Sequence, residues 1–399
     1  MSPISAKFQS LGRYAAIALG ASIPVSTSLD AVLFVLVLAA WLGSGRLGEK
    51  LADLRANPAA LAALAFLGLL LLGMTWGPGD LRDDWHYFRK HKELVLVAVL
   101  SGLLLSDRDR RVALGAFLAA MAVTLVLSYA MWFGLLPIEE PGVRTRDNPA
   151  IFKLHITHGV FMSLAAFLAG IQAMRESDAR WRAVYVTGAL LAVFNVLFMV
   201  QGRVGYLVLA VLGFYFCAAH WRWRGVVFAA FVATVSLATA YITNAPFFDR
   251  SATAAVELGE WDAGRGGETS TGLRMNYYKT TAAIVRDHPV LGVGTGGFVH
   301  AYREKIRGTT LPESNNPHNQ YLLTAAQLGA VGLLVLIAMF AIMWWQAGRM
   351  EHAPRIAARG LVLTIAVGSL LNSFLIDHAE GLLFAWMAGV LFANRRPAQ

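Results

Sequence analysis

The sequence predicts an all-α, polytopic integral membrane protein of about twelve transmembrane helices with one large helical loop, and three observations carry that prediction. Of 399 residues, 57% are hydrophobic, only 15% are charged and the mean hydropathy is +0.54, a balance no soluble globule of this length needs. Apolar stretches of the roughly 20 residues that a bilayer crossing requires recur along the chain. One polar stretch, Asn244 to Asn316, is long enough to fold outside the bilayer. The chain therefore divides into 1–243 with nine spans, 244–316 as the loop, and 317–399 with three more.

The spans centre near Leu19, Leu36, Ala65, Val97, Val123, Leu164, Leu190, Leu209, Val232, Leu333, Ile365 and Ala385. Ala31 to Trp41 follows the first apolar segment almost at once, with no small-residue cleavage site between them, so the first span is expected to be kept and not removed as a signal peptide. The single cysteine, Cys217, lies inside a predicted span and reads as a small core residue, which leaves no disulfide framework and no Cys-based metal site. With the N-terminus inside, eighteen of the 34 Lys and Arg fall in the cytoplasmic loops and sixteen outside, eight of those in the long loop. Long loops do not count in the positive-inside rule, so both termini are expected in the cytoplasm. The net charge of +9 is then partly topology, no nucleic-acid partner is needed, and no nucleic-acid-binding module is recognisable.

Several cations violate that bias. Arg82, Arg89, Lys90 and Lys92 precede the fourth span, Arg144, Arg146 and Lys153 precede the sixth, and Arg203 sits in a tight turn between the seventh and eighth. Clustered outward cations ask for an anion, and phosphate matches the guanidinium fork bidentately. In Gln201-Gly202-Arg203-Val204-Gly205, Arg203 interrupts a long apolar run, and an ionisable group at membrane depth is expensive and usually functional. Its competing reading is an arginine snorkelling to headgroups; Gly202 and Gly205, which permit close backbone approach, favour a ligand site.

Within the loop, Glu257 to Thr271 is rich in Gly, Thr and acids and reads as mobile. Leu273 to Val285 carries apolar and aromatic residues at helical spacing until Asp287-His288-Pro289 stops it, which predicts an amphipathic helix with Arg274 near its start. A solvated arginine is the alternative reading of Arg274. Leu291-Gly292-Val293-Gly294-Thr295-Gly296-Gly297 follows a helix and a proline and not a strand, so it fails the context test for a dinucleotide loop and reads as a structural turn.

Asn316-Pro317-His318-Asn319 opens the tenth span, about twenty-five apolar residues from Tyr321 to Trp345. Asn316 suits an N-cap and Pro317 the first helical position, which would put His318 at the positive end of a helix macrodipole and favour its neutral form. An interfacial histidine at a helix end is the structural reading. The other outward histidines, His86, His91, His155, His158, His288, His300 and His378, lack metal-ligand spacing. The one Asp-x-Asp, Asp107-Arg108-Asp109, falls on the cytoplasmic side, and neither a Gly-x-Ser-x-Gly elbow nor a Walker loop is present. An arginine-rich outer crevice with one base suits displacement of a diphosphate by a hydroxyl, with no metal, no cofactor and no covalent intermediate.

These features together resemble the bacterial O-antigen ligases and the related O-antigen polymerases. The resemblance rests on the lone arginine in Gln201-Gly202-Arg203, on Arg274 followed by Asp287-His288-Pro289-Val290-Leu291-Gly292-Val293-Gly294, on Pro317-His318-Asn319, and on Lys153-Leu154-His155-Ile156-Thr157-His158-Gly159. It implies an undecaprenyl-diphosphate-linked O-antigen as donor, lipid A-core oligosaccharide as acceptor, and a site facing the periplasm from the bacterial inner membrane, among membrane lipids. Residue by residue, it implies that Arg203 and Arg274 hold the diphosphate and that His318 is the essential histidine. Arg144, Arg146, Arg82 and Arg89 are added to the diphosphate set by location alone, with Asn319, Lys153 and His158 as support. A polymerase would share fold and arginines, and the protein O-oligosaccharyltransferases of the superfamily carry a longer C-terminal extension. A transporter is the reading from another class; the missing internal repeat and the gathering of polar groups at one face speak against it.

Overall fold

The computed structural model describes residues 3–77, 81–103, 106–136, 140, 144–242, 246–262, 264 and 267–393. It is all-helical, 77% helix in sixteen α-helices, with no strand among the described residues. The helices are α1 (Pro3–Ser22), α2 (Thr27–Gly43), α3 (Leu47–Arg55), α4 (Pro58–Gly73), α5 (Leu81–Arg89), α6 (Val95–Ser101), α7 (Asp107–Trp132) and α8 (His155–Arg175). They continue with α9 (Ala179–Phe194), α10 (Arg203–Ile242), α11 (Pro246–Asp262), α12 (Ser270–Asp287), α13 (Phe298–Ile306), α14 (Gln320–Ala347), α15 (His352–Gly368) and α16 (His378–Leu391).

All twelve expected span centres fall inside helices, yet the count of twelve is not reached when length and apolarity are both required. Among the described residues five helices are long and apolar enough to cross a membrane, or six if α2 and α3, bent by 113°, form one span. The shortfall has local causes. α6 is only seven residues long, α15 opens on His352, Arg355 and Arg359, and the expected eighth and ninth spans share α10, which breaks at Arg222 (φ 55°, ψ −135°). α4 and α16 are shorter apolar helices.

α1 packs on α2 and α7, α4 on α14, α6 on α16, and α8 on α9 and α10. The core centres on α16, hydrophobic on all sides and buried along nearly its whole length, as a helix inside a bundle must be. Its Trp386 is fully buried, donates Nε1–H to the Ala16 carbonyl at 2.8 Å, and lies 6.2 Å from the Phe117 ring. Gly202 and Gly205 let α10 approach α8: a β-carbon on Gly205 would stand 2.9 Å from the Gly159 Cα. Their spacing therefore serves helix packing, not the ligand contact expected of them.

α14 is broken at Gly329 (φ 62°, ψ −157°), and the break is what holds the loop. Backbone polar groups freed inside a membrane helix must find partners. They find them in the glycine-rich segment: the amides of Val293 and Gly294 donate to the carbonyls of Ala326 and Gln327 at 2.9 and 2.8 Å, and the Ala330 amide donates to Pro289 at 2.8 Å. The Thr295 amide and hydroxyl reach the Gly73 and Leu70 carbonyls of α4 at 2.9 and 2.7 Å. The turn reading of this segment holds, and the amides of Gly292, Val293, Gly294, Thr295 and Gly297 are occupied by the protein itself. Around it Ile284, Phe298, Tyr302 and Ile306 form a second small core with Leu323, Ala326 and Ile376, which docks α12 and α13 onto the opening of α14.

Candidate functional site

The amphipathic helix expected over Leu273–Val285 is α12, capped by the Thr269 hydroxyl on Gly272 N–H and ending at His288. Glu257 to Thr271, expected to be mobile, includes the end of α11 and the start of α12, and the Glu257 carboxylate accepts from the Thr271 amide at 3.0 Å. Along α12, Thr271, Arg274 and Tyr278 are spaced i, i+3, i+7 and share one face. Thr271 Oγ1 accepts a hydrogen bond from Arg203 Nη1 at 3.1 Å, and Glu257 Oε2 lies 3.9 Å from Arg203 Nη2. The Tyr278 hydroxyl donates to the His318 carbonyl at 3.3 Å, and the Tyr277 ring lies 6.0 Å from the His318 ring. Arg203 and His318 thus contact opposite ends of one helix face, roughly 10 Å apart along its axis, with Arg274 between them.

Arg203 is the first residue of α10, where its half-buried guanidinium leaves the bundle toward α11 and α12. The turn before it is tied to the loop after α7, because Gln201 N–H donates to Asn148 Oδ1 at 3.0 Å and Gln201 Nε2 to the Asp147 carbonyl at 3.2 Å.

His318 is placed differently from the expectation. α14 starts at Gln320 and its N-cap is Asn319, whose Oδ1 accepts from Leu322 N–H; Asn316 does not cap the helix and His318 is not in its first turn. His318 instead adopts a left-handed backbone (φ 55°), a conformation costing a β-carbon-bearing residue about 1–3 kcal/mol. Asn316 Oδ1 secures it, accepting from the His318 amide at 2.8 Å and from Ser373 Oγ at 2.7 Å. The strained turn aims the half-buried ring at Asn372, whose Oδ1 lies 3.2 Å from His318 Nδ1. Asn372 Nδ2 donates to Asp377 Oδ2 at 2.9 Å, which fixes the amide orientation. An amide oxygen only accepts, so Nδ1 carries the proton and Nε2 keeps its lone pair. Burial lowers the His318 pKa below the ordinary imidazole value, the Asn372 hydrogen bond opposes that, and the Arg274 charge adds to the lowering. Asp377 is pushed up to about 6 by burial, against the pull of Lys90 and of the Asn372 hydrogen bond.

The remaining expected residues are dispersed. Asn319 Nδ2 donates to the Leu370 carbonyl at 2.9 Å, joining the cap to the Asn372 turn. Arg144 pairs with Glu140 at 3.2 Å, and the exposed Arg146 guanidinium lies over Gly134. Arg82 and Arg89 are exposed on α5, a helix pinned near the site by the Tyr87 hydroxyl donating to the Asn315 carbonyl. Lys153 is buried against Thr27 (3.0 Å) and Asp30 (3.6 Å), and His158 against Asn195 (3.0 Å), so neither is directed at His318. Asn372, Asp377 and Tyr278 were missed: Asn and Asp next to a span are common, and nothing local marks any of the three as belonging beside a histidine forty or more positions away. Among the described residues no three His, Cys, Asp or Glu side chains are grouped to hold a metal ion.

Comparison with known proteins agrees with the resemblance. No curated protein matches the chain. A chain from the solved structure "Structural coordination of polymerization and crosslinking by a peptidoglycan synthase complex" is similar at 17% identity over 84% of this chain and 95% of that one, with a TM-score of 0.47. Residues 187–337, which contain Arg203, Arg274 and His318, match the family model described as O-antigen ligase, and this match supports the resemblance to the O-antigen ligase superfamily.

Proposed function

We propose that this protein is an O-antigen ligase, a glycosyltransferase that moves a glycan from undecaprenyl diphosphate to a sugar hydroxyl of lipid A-core at the periplasmic face of the inner membrane. The observation that carries this reading is the shared face of α12, which brings the two arginines and the histidine of the superfamily domain onto one platform. Arg203 and Arg274 supply bidentate donors for a diphosphate. The leaving group departs as an anion, and positioned donors aimed at developing charge are commonly worth a few kcal/mol each. A cavity of about 470 Å³ that starts at Tyr206, one turn along α10 from Arg203, is lined by Leu197, Phe198, Tyr206, Leu209, Phe214 and Phe228, a surface that suits an isoprenoid tail.

In the reaction the acceptor hydroxyl oxygen attacks the anomeric carbon, the bond from that carbon to the diphosphate oxygen breaks, and undecaprenyl diphosphate leaves. His318 Nε2 takes the hydroxyl proton while Nδ1–H stays on Asn372. Direct attack inverts the anomeric carbon. The test is turnover with purified protein, lipid-linked donor and core acceptor, with product configuration read by NMR. An inverted glycosidic bond on lipid A-core is expected; a retained configuration overturns the mechanism, and glycan added only to a second lipid-linked glycan assigns the chain as a polymerase instead.

A further inference from the structure

At the end of the bundle away from His318, α7 and α15 begin and α8, α14 and α16 end around a second cavity, of about 380 Å³. The 21-residue α8 sets the separation between the two ends at about 30 Å. Four arginines line the cavity, Arg110, Arg111, Arg175 and Arg349, with two acids, Asp107 and Glu351, so four positive charges less two negative ones leave two in excess. The acids do not neutralise the whole rim. Arg110 is paired with Asp107 at 3.5 Å, whereas Arg111 and Arg175 form no ion pair among the described residues. Arg349 stacks its guanidinium 3.6 Å from the Trp345 ring centroid, an arrangement that uses the flat face of the fork and leaves its N–H edge available.

The cavity is also amphipathic along its depth. Leu114 and Leu118 follow Arg110 and Arg111 by one and two turns of α7, and Leu168 and Ile171 precede Arg175 by two turns and one turn of α8. Cations therefore ring the mouth and aliphatic side chains line the interior. A free inorganic anion would satisfy the ring and leave the apolar interior empty.

We propose that this cavity binds the phosphate headgroup of an anionic lipid in the leaflet opposite His318, with the guanidinium groups on the phosphate and the start of an acyl chain on the leucines. Basic pockets between membrane helices recognise such headgroups, and each basic residue contributes on the order of a fivefold factor in affinity. The inference is independent of the transfer reaction, because none of these residues belongs to the donor or base set.

The test is native mass spectrometry of the full-length protein in detergent, titrated with phosphatidylglycerol and separately with phosphatidylcholine. One phosphatidylglycerol is expected to be retained and phosphatidylcholine lost. Arg111→Ala combined with Arg175→Ala removes two exposed side chains and is expected to weaken binding about twenty-five-fold at unchanged thermal stability, while the paired Lys replacements keep most of it. Arg108→Ala, at the same end but outside the cavity, is expected to bind as the parent does. Equal binding by the double Ala variant, an equal loss in Arg108→Ala, or displacement of the lipid by millimolar inorganic phosphate would overturn the proposal.

Discussion

Two neighbours of His318 push its protonation in opposite directions, and separating them gives a sharp test of the site. Arg274 disfavours the imidazolium and the Asn372 hydrogen bond favours it. The titration of His318, followed by NMR on labelled histidine and assigned by its loss in His318→Gln, is therefore expected to move up in Arg274→Ala and down in Asn372→Ala. In the proposed mechanism neutral imidazole is the base, so activity is expected to fall as pH drops through the His318 pKa, which lies below the ordinary imidazole value, and Asn372→Ala is expected to shift that acid limb of kcat/KM to lower pH. The rates follow from the bond. A neutral hydrogen bond contributes about 1 kcal/mol and a charge-assisted one about 2 kcal/mol. The Nδ1–H bond to Asn372 changes from the first kind to the second as Nε2 takes the proton. Only the difference, about 1 kcal/mol, lowers the barrier, which is about fivefold in kcat. Loss of the base itself, in His318→Gln, is expected to cost about a hundred- to ten-thousandfold. A shift of the same sign in both variants, or an Asn372→Ala defect as large as that of His318→Gln, would refute this assignment of roles.

Arg203→Ala and Arg274→Ala are each expected to abolish transfer in the purified assay with unchanged thermal stability, and Lys at either position to restore little, because an ammonium lacks the bidentate fork. Turnover is expected to persist in excess chelator; if EDTA stops it and Mg or Mn restores it, the acids at the start of α5, Asp83 and Asp84, return as ligand candidates, with Asp80 outside the described residues. Gly329→Ala forces a β-carbon into a left-handed position 2.2 Å from the Val290 backbone, so the thermal midpoint in detergent is expected to drop by an amount reflecting on the order of 3 kcal/mol. An unchanged midpoint would mean that the 288–297 segment does not depend on the broken helix.

What the sequence determined by itself is what depends on composition and on near neighbours. The all-helical membrane class follows from apolar runs, the expected orientation rests on where Lys and Arg sit between them, and α12 follows from apolar spacing between Leu273 and Pro289. Arg203 and His318 stood out because a charge or an imidazole at the edge of an apolar run is costly enough to be noticed without any structure. The tertiary structure decided the partners. Asn316 looked like a cap and is the acceptor that holds His318 in a left-handed turn, while the cap passed to Asn319. Gly202 and Gly205 looked like room for a ligand and are filled by α8, and the run of glycines after Pro289 answers a helix break some forty residues later. Lys153 and His158 had the right location and are committed to Asp30 and Asn195, whereas Asn372 and Asp377 had no local signal and complete the hydrogen-bond chain at His318. The physical reason is common to all of these: hydropathy and charge are properties of a residue and its neighbours along the chain, but a hydrogen bond is satisfied by whichever group the packing of distant helices brings within about 3 Å.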